Sequence, residues 1–463
     1  MLAFAVHCSP FKMTIPSNNS FQVGVSKKQV LRIALPISVA ILVPQINFIT
    51  NNIFLGGLNE RSLATAGITG IYYLLFAVVG NGLNNGLQTL IARRAGENRI
   101  SEIGKLFVQG IRMALCFAAL GILITYFIAP WILAFSLQSQ PLREQAVYFL
   151  KIRIWGLPFL YLYQMRNALL VGINQSKFLF YGTLAEALVN IVLDYGLIYG
   201  HFGLPKMGFN GAAFASILAE AAGMLVVFSV IRAKGISKQL RLFASTAFDS
   251  KLTRLILAQS SPLIFQYTIS ICSWMFFYIL VEHHGQRDLA ISNTMRNIFG
   301  LFGVFTWAFA SATNAMVSNV IGQGKKEIVI ELVKRIMGLS LLFSISIAII
   351  LNLFPRLFLS IYGQDQVFMD SAIPVVRVVS SALVMMSFST VWFNAVTGTG
   401  NTKISLGIEI ITIVFYCLYV YLILGYLNLP ILYGWMSEWV YWTFNFVLSF
   451  LYMRGGHWKK KVI

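Results

Sequence analysis

Twelve apolar stretches, each long enough to cross a bilayer, follow one another along almost the whole of this 463-residue chain. They fall at approximately 30–55, 62–92, 105–129, 145–172, 178–200, 209–232, 251–282, 288–320, 329–353, 369–397, 404–426 and 433–454. A span needs about 20 apolar residues, so the series leaves no length for a water-soluble domain of useful size. Composition agrees: 57% of the residues are hydrophobic, 11% are charged and the mean hydropathy is +0.74, where a soluble domain carries roughly 25% charged residues. The sequence predicts an all-α integral membrane protein and excludes an ordinary soluble enzyme.

Lys and Arg number 35 against 16 Asp and Glu, a net charge of +19. In a soluble chain that excess would suggest nucleic acid. Here the bases gather in alternate loops, as the positive-inside rule requires, and no basic run is interleaved with a stacking platform. The expected surface partner is the lipid bilayer, not nucleic acid. One set of loops carries Lys27 and Lys28, Arg93, Arg94 and Arg99, Lys177, Arg232 to Arg241, Lys325 and Lys326, Lys403 and Lys459 to Lys461; the other carries little beyond Arg61, Arg143, Lys206, Arg287 and Arg356. The first set is expected to be cytoplasmic, with both termini, in a multi-pass protein of the cell's inner membrane.

The N-terminal MLAFAVHCSPFK has too short an apolar patch, and no basic start, to serve as a signal peptide; whether Met1 or Met13 begins the protein stays open. The four cysteines, Cys8, Cys116, Cys272 and Cys417, show no metal or disulfide spacing, and the last three read as small core residues.

The chain repeats itself. Adding 226 maps Pro36 to Pro262, Arg61, Leu63 and Ala64 to Arg287, Leu289 and Ala290, Gly96 to Gly322, Gln138 to Gln364, Gly172 to Gly398, Lys177 to Lys403 and Gly208 to Gly434. Six spans per half is even, so the halves share one orientation and the pseudo-twofold axis lies along the membrane normal. The implied organisation is a cytoplasmic tail over 1–28, a first lobe of six helices over 29–232, a polar cytoplasmic linker over 233–250, a second six-helix lobe over 251–455 and a basic tail over 456–463.

Several stretches resemble the multidrug and toxic compound extrusion (MATE) family. They are LPISVAILVPQINFITNNIFLGGLNERSLATAGI, LIARRAGENR, KIRIWGLPFLYLYQMRNALLVGINQSK, NIVLDYGLIYG with MGFNGAAFAS, and LAISNTMRNIFGLFGVFTWAFASATNAMVSNVIGQGKK. The resemblance covers residues 28–455 and is to a bacterial member, closer to the DinF-like than to the NorM-like branch. It implies two lobes around a central cavity, export of organic, often cationic, drugs or toxic compounds by alternating access in exchange for H⁺ or Na⁺, no other cofactor, and action as a monomer.

Ionisable groups inside a membrane cost roughly 2.5–3.5 kcal/mol each at a helix centre on insertion scales. The mid-span acids are Glu186, Asp194, Glu220, Glu409 and Glu438. Asp194 leads, because Asn190 sits one helical turn earlier on the same face. The resemblance implies a first-lobe cation site on this NxxxD pattern, completed by a hydroxyl at Ser216. The family's first-span aspartate is absent: Asn51 stands in its place in ITNNIFLG, able to ligate a cation but not to titrate. Glu186, two turns before Asp194, is expected near that face and facing a base such as Arg166. Spans 7 and 10 lack the mid-span acids of the NorM-like branch, so any ion site is expected in the first lobe.

On span 2, Asn81, Asn84, Asn85 and Gln88 form one stripe, read equally as cavity lining or as helix packing. Their repeat partners are Trp307, Ala310, Ser311 and Asn314. Phe48, Tyr72, Tyr73, Tyr163, Trp274 and Trp307 are candidate faces for a cation, although most aromatics in such a chain meet lipid or the interface. Glu282-His283-His284 reads as a solvated loop, not a metal site. The alternative function within the same superfamily is a flippase for a lipid-linked oligosaccharide; it expects several mid-membrane cations, of which Arg166 and Arg296 are the main examples. An embedded enzyme is not expected, since no catalytic constellation is present.

Overall fold

The computed structural model describes residues 21–463 apart from 59, 138, 245 and 361–364. Met13, Cys8, the pairing of Gln138 with Gln364 and the side chain of Phe48 lie outside the described residues.

The expected spans are helices. In the first lobe α1 is Lys27–Gly56, α2 Glu60–Gly96, α3 Ile100–Phe127, α4 Leu157–Gly172, α5 Leu179–Tyr199 and α6 Phe209–Ala233. In the second, α7 is Ser250–His283, α8 Gln286–Gly322, α9 Val329–Leu353, α10 Gln366–Gly398, α11 Thr402–Val420 and α12 Ser437–Gly455. Ten helices among the described residues are long and apolar enough to cross a membrane; α4 and α12 are not among them. The fourth span is interrupted. A helix over Gln140–Arg153 passes through a tight turn, Ile154–Gly156, before α4 starts with a proline in its first turn, and that break brings Arg153 to the lobe interior. The last span is the 19-residue α12, which opens with Glu438 and is rich in Trp, Tyr and Phe. Asp249 and Asp365 cap α7 and α10 through their carboxylates, closing otherwise unpaired N–H groups at the helix starts.

The lobes meet along α2 and α8, and the meeting obeys the repeat. A Cβ on Gly96 would lie 2.0 Å from the Asn319 carbonyl oxygen, and one on Gly322 would lie 2.3 Å from that of Arg93; 319 and 322 are 93 and 96 plus the offset. Gln88 Nε2 donates to the Ser311 carbonyl at 3.0 Å, and Asn314 Nδ2 to that of Asn85 at 3.4 Å, again an exchanged pair. Such reciprocity is the signature of a twofold interface, here between halves of one chain. Gly172 against Ile91 and Gly398 against Val317 repeat the same packing inside each lobe.

Arg93, expected as a loop cation, is buried in this seam. Its Nε donates to Ser318 O (3.0 Å) and its Nη2 to Thr399 O (3.0 Å), both in the other lobe. The described part of the N-terminal tail is not free either. Val23 N donates to Asn319 Oδ1 (3.0 Å), Gln323 Nε2 to Val23 O (3.0 Å) and Gln22 Nε2 to Gly96 O (2.9 Å), so the segment before α1 straps the two lobes together. The linker after α6 buries Ile236, Leu240 and Leu242, and Gln109 of α3 donates to Ala247 O; it is polar at its surface but docked. Cys116 and Cys272 are exposed on the outer faces of α3 and α7 rather than packed in the core.

Candidate functional site

Two hydrogen bonds fix the register of α1 against α5. Ser176 Oγ donates to Ile33 O (3.0 Å) just ahead of α5, and Tyr199 OH donates to Phe54 O (2.7 Å) near its end; the residues are 143 and 145 apart. The helices run parallel between these ties, which sets Asn47 level with Asn190 and Asn51 level with Asp194. Asp194 is 0% and Asn190 3% exposed. Both carboxylate oxygens of Asp194, and the amide oxygens of Asn190, Asn51 and Asn47, are buried without a hydrogen-bond partner. Buried polar atoms are almost always satisfied, so five unpartnered oxygens at matched heights on two packed helices are candidate ligands for a cation. A bare carboxylate here is costly unless it holds a proton or a counter-ion.

The α5–α6 hairpin adds the third wall. Gly211 packs on Leu197, and Gly223 packs on Glu186; Phe214 and Ala215 therefore fall level with Asp194, and Ser216 between the heights of Asp194 and Asn190. Ser216, the hydroxyl named from the sequence, is half-buried there. Glu186 lies against Gly223, two turns from Asp194. The expected pairing of Glu186 with Arg166 is not formed: the Arg166 guanidinium donates to the Met224 carbonyl and lies 5.1 Å from the Phe228 ring centroid. The carbonyl holds it because burial leaves that base no water.

Sequence reasoning missed two features. Asn47 is one turn before Asn51, so the Asn-x-x-x-Asn of α1 mirrors the Asn-x-x-x-Asp of α5; that matched spacing was the available signal. The other is a buried ion pair. Arg153 Nη2 and Nη1 reach the two oxygens of Glu220 at 2.5 and 3.0 Å, Tyr73 OH donates to the same carboxylate at 3.2 Å, and the guanidinium sits 3.8 Å from the Tyr73 ring centroid. Nothing local marks this pair, because the break before α4 creates it. Removing one partner of a buried pair leaves an uncompensated charge and costs about 3–5 kcal/mol, whereas apolar replacement of both is often neutral. Glu220→Ala is expected to lower the thermal unfolding midpoint in detergent sharply, and Arg153→Met with Glu220→Met to restore most of it.

The span 2 stripe is largely packing. Asn81 accepts from Gln164 Nε2 (3.0 Å) within the lobe, while Asn85 donates to Tyr267 OH (2.7 Å) and Gln88 is paired with Ser311, both across the seam. Asn84 keeps an unpartnered amide oxygen. Tyr163 OH is also unpartnered, and Trp307 is half-buried against Gly303 of its own helix. His284 bonds the Leu424 carbonyl (2.9 Å) and His283 lies exposed beside Glu282; no group of three His, Cys, Asp or Glu that could hold a metal occurs among the described residues.

Two six-helix lobes packed on one another, with unpartnered oxygens buried among membrane-spanning helices, have the architecture of a two-lobed membrane transporter. A sequence model of the MatE family matches residues 36–196 and 262–422, more than half of the chain, and the chain belongs to that family. Each bound of the second match lies 226 residues beyond the first, the offset read from the sequence. Over 461 residues, 98% of this chain and 97% of the relative, it is 24% identical to "Probable multidrug resistance protein NorM" of Thermotoga maritima. The expected leaning toward the DinF-like branch finds no support in that name. The fold matches a crystal structure of MATE in complex with MaL6 at TM-score 0.88 and 18% identity, over 97% of this chain and 100% of that one. It also matches the outward-facing conformation of a multidrug resistance MATE family transporter of the MOP superfamily at TM-score 0.85 and 18% identity, over 97% and 100% of the chains.

Proposed function

We propose that the chain is a secondary antiporter of the inner membrane that exports organic, often cationic, compounds in exchange for a coupling ion held at Asp194, acting as a monomer with both termini in the cytoplasm. The observation that carries this is Asp194 itself: fully buried, with both oxygens unpartnered, beside the orphaned amide oxygens of Asn190, Asn51 and Asn47. The donor set favours Na⁺ over H⁺. A proton satisfies one carboxyl oxygen and leaves the amide carbonyls orphaned, while a hard cation takes several oxygens at once. With Asn51 in place of an acid, one carboxylate and one Na⁺ balance to zero charge.

The cross-lobe hydrogen bonds of this conformation gather in the half of the molecule bearing the basic loops. With those loops in the cytoplasm, this state is the one closed on the cytoplasmic side. Ion binding tightens α1, α5 and α6 around Asp194 and favours one packing of the lobes; substrate binding favours the other, and only differential affinity moves the equilibrium. The flippase reading gains nothing from the site, because the buried bases are already held: Arg153 by Glu220, Arg166 by Met224 O and Arg93 by the seam.

Na⁺ is expected to stabilise the detergent-solubilised protein by about 2.7 kcal/mol at 100 times its Kd, read as a rise in unfolding temperature, with choline as the control. Asp194→Asn is expected to lose that response. Equal stabilisation of the variant, or none of the wild type, would contradict Na⁺ coupling at Asp194.

A further inference from the structure

The second lobe holds a buried acid that the account so far does not use. Glu409 of α11 is 1% exposed. One of its oxygens accepts from Ser270 of α7 and, at 2.6 Å, from Tyr441 OH of α12. The other oxygen is buried with no partner, as is Thr412 Oγ1 one turn further along the helix. No base among the described residues forms an ion pair with this carboxyl group, whereas Glu220 in the first lobe is held by Arg153. The groups that face it are Tyr267 and Ser270 from α7 and Tyr441 from α12, with Glu438 beyond Tyr441 and bonded to Trp442 Nε1 at 2.9 Å. The side of α11 packed on α10 presents Ser405 to Thr397, a neutral pair.

We infer that Glu409 is a proton-binding site in the second lobe, protonated on its unpartnered oxygen in this conformation. Three observations carry it. The acid is sealed from water with no counter-charge, a state a carboxylate avoids by taking a proton. Its hydroxyl donors converge on a single oxygen, which leaves the other as the place for the hydrogen. The groups bonded to it are hydroxyl donors and not amide oxygens, which suits a proton better than Na⁺, although the unpartnered amide oxygen of Gln266 lies one turn before Ser270 on α7. The group is also wired to the seam. Ser270 is one turn from Tyr267, whose hydroxyl accepts from Asn85 of the first lobe. Loss of the proton strengthens the pull of the carboxylate on Ser270 and Tyr441, and so acts on the helix that carries the Tyr267 contact.

The test is infrared difference spectroscopy of the full chain in liposomes, from about pH 5 to about pH 10. A wild-type minus Glu409→Gln spectrum is expected to contain one protonated-carboxyl band that vanishes as the pH rises. The amide keeps an acceptor for Ser270 and Tyr441, and a cooperative thermal unfolding transition in detergent shows that the variant is folded. Ser270→Ala and Tyr441→Phe each remove a donor that stabilises the ionised form, so each is expected to retain the band and move its midpoint to higher pH. A difference spectrum with no such band, or with a band that does not respond to pH, overturns the inference. The same band is expected in an Asp194→Asn background, so failure here and failure of the Asp194 reading give different results.

Discussion

Gly96→Ala, and equally Gly322→Ala, is expected to open the lobe seam and stop transport while leaving each lobe folded. The added methyl group at either position would lie 2.0 or 2.3 Å from a backbone carbonyl oxygen of the facing helix, and neither α2 nor α8 can yield without moving its lobe. Overpacking of this kind costs about 1–3 kcal/mol. Placed on an equilibrium between sealed and open seams, that is a shift of about 5- to 150-fold. A cysteine at Ser318 reads it. The Ser318 hydroxyl is fully buried and donates to Thr89 O across the seam at 2.7 Å, so in a background otherwise free of cysteine the thiol is shielded. Both glycine variants are expected to speed its labelling by an impermeant maleimide by that factor, and by similar amounts, because the two contacts are related by the pseudo-twofold axis. Gly203 and Gly407, which have open space around the added atom, differ in this respect, and Gly407→Ala is the natural control for the helical substitution.

The second large effect separates stability from activity. Asp194→Asn is expected to reduce ion-driven efflux to the level of empty liposomes and, without Na⁺, to raise the unfolding temperature. Asp194 has two buried oxygens without partners, and an unsatisfied buried group costs about 1–3 kcal/mol, more when charged. The amide removes the charge and keeps the shape. Functional sites carry such strain because the chemistry needs it, and relieving it exchanges activity for stability. A variant that is both less stable and less active would instead mark Asp194 as a structural hydrogen-bond partner.

Much of the fold was legible in the chain because a bilayer imposes a coarse rule, about 20 apolar residues per span. The observed bounds of α9, Val329–Leu353, coincide with the expected 329–353, and α6 differs from 209–232 by a single residue. The repeat was legible because Pro and Gly positions record backbone geometry that the halves share. Asp194 and Asn190 were legible as a one-turn pair inside an apolar helix, and Ser216 falls at their height. What could not be read depends on which helices meet. The amide stripe of span 2 is identical in sequence whether it lines a cavity or glues helices, and Asn85 and Gln88 proved to be glue. Arg93 resembles the neighbouring loop bases until the seam closes over it. The Arg153–Glu220 pair joins residues 67 apart through a break in the fourth span, and Arg166 turned to a backbone carbonyl instead of to Glu186. Glu409 was visible as a mid-span acid, yet its orphaned oxygen emerges only when α7, α11 and α12 are packed.

The most direct test of the central claim, that an ion held at Asp194 drives export, is efflux of a fluorescent organic cation such as ethidium from liposomes containing the purified chain. A Na⁺ gradient and a pH gradient are imposed separately on wild type and on Asp194→Asn. The account predicts that the Na⁺ gradient alone drives wild-type transport and that Asp194→Asn abolishes this response in a protein that remains folded. Undiminished Na⁺-driven transport by Asp194→Asn would contradict it.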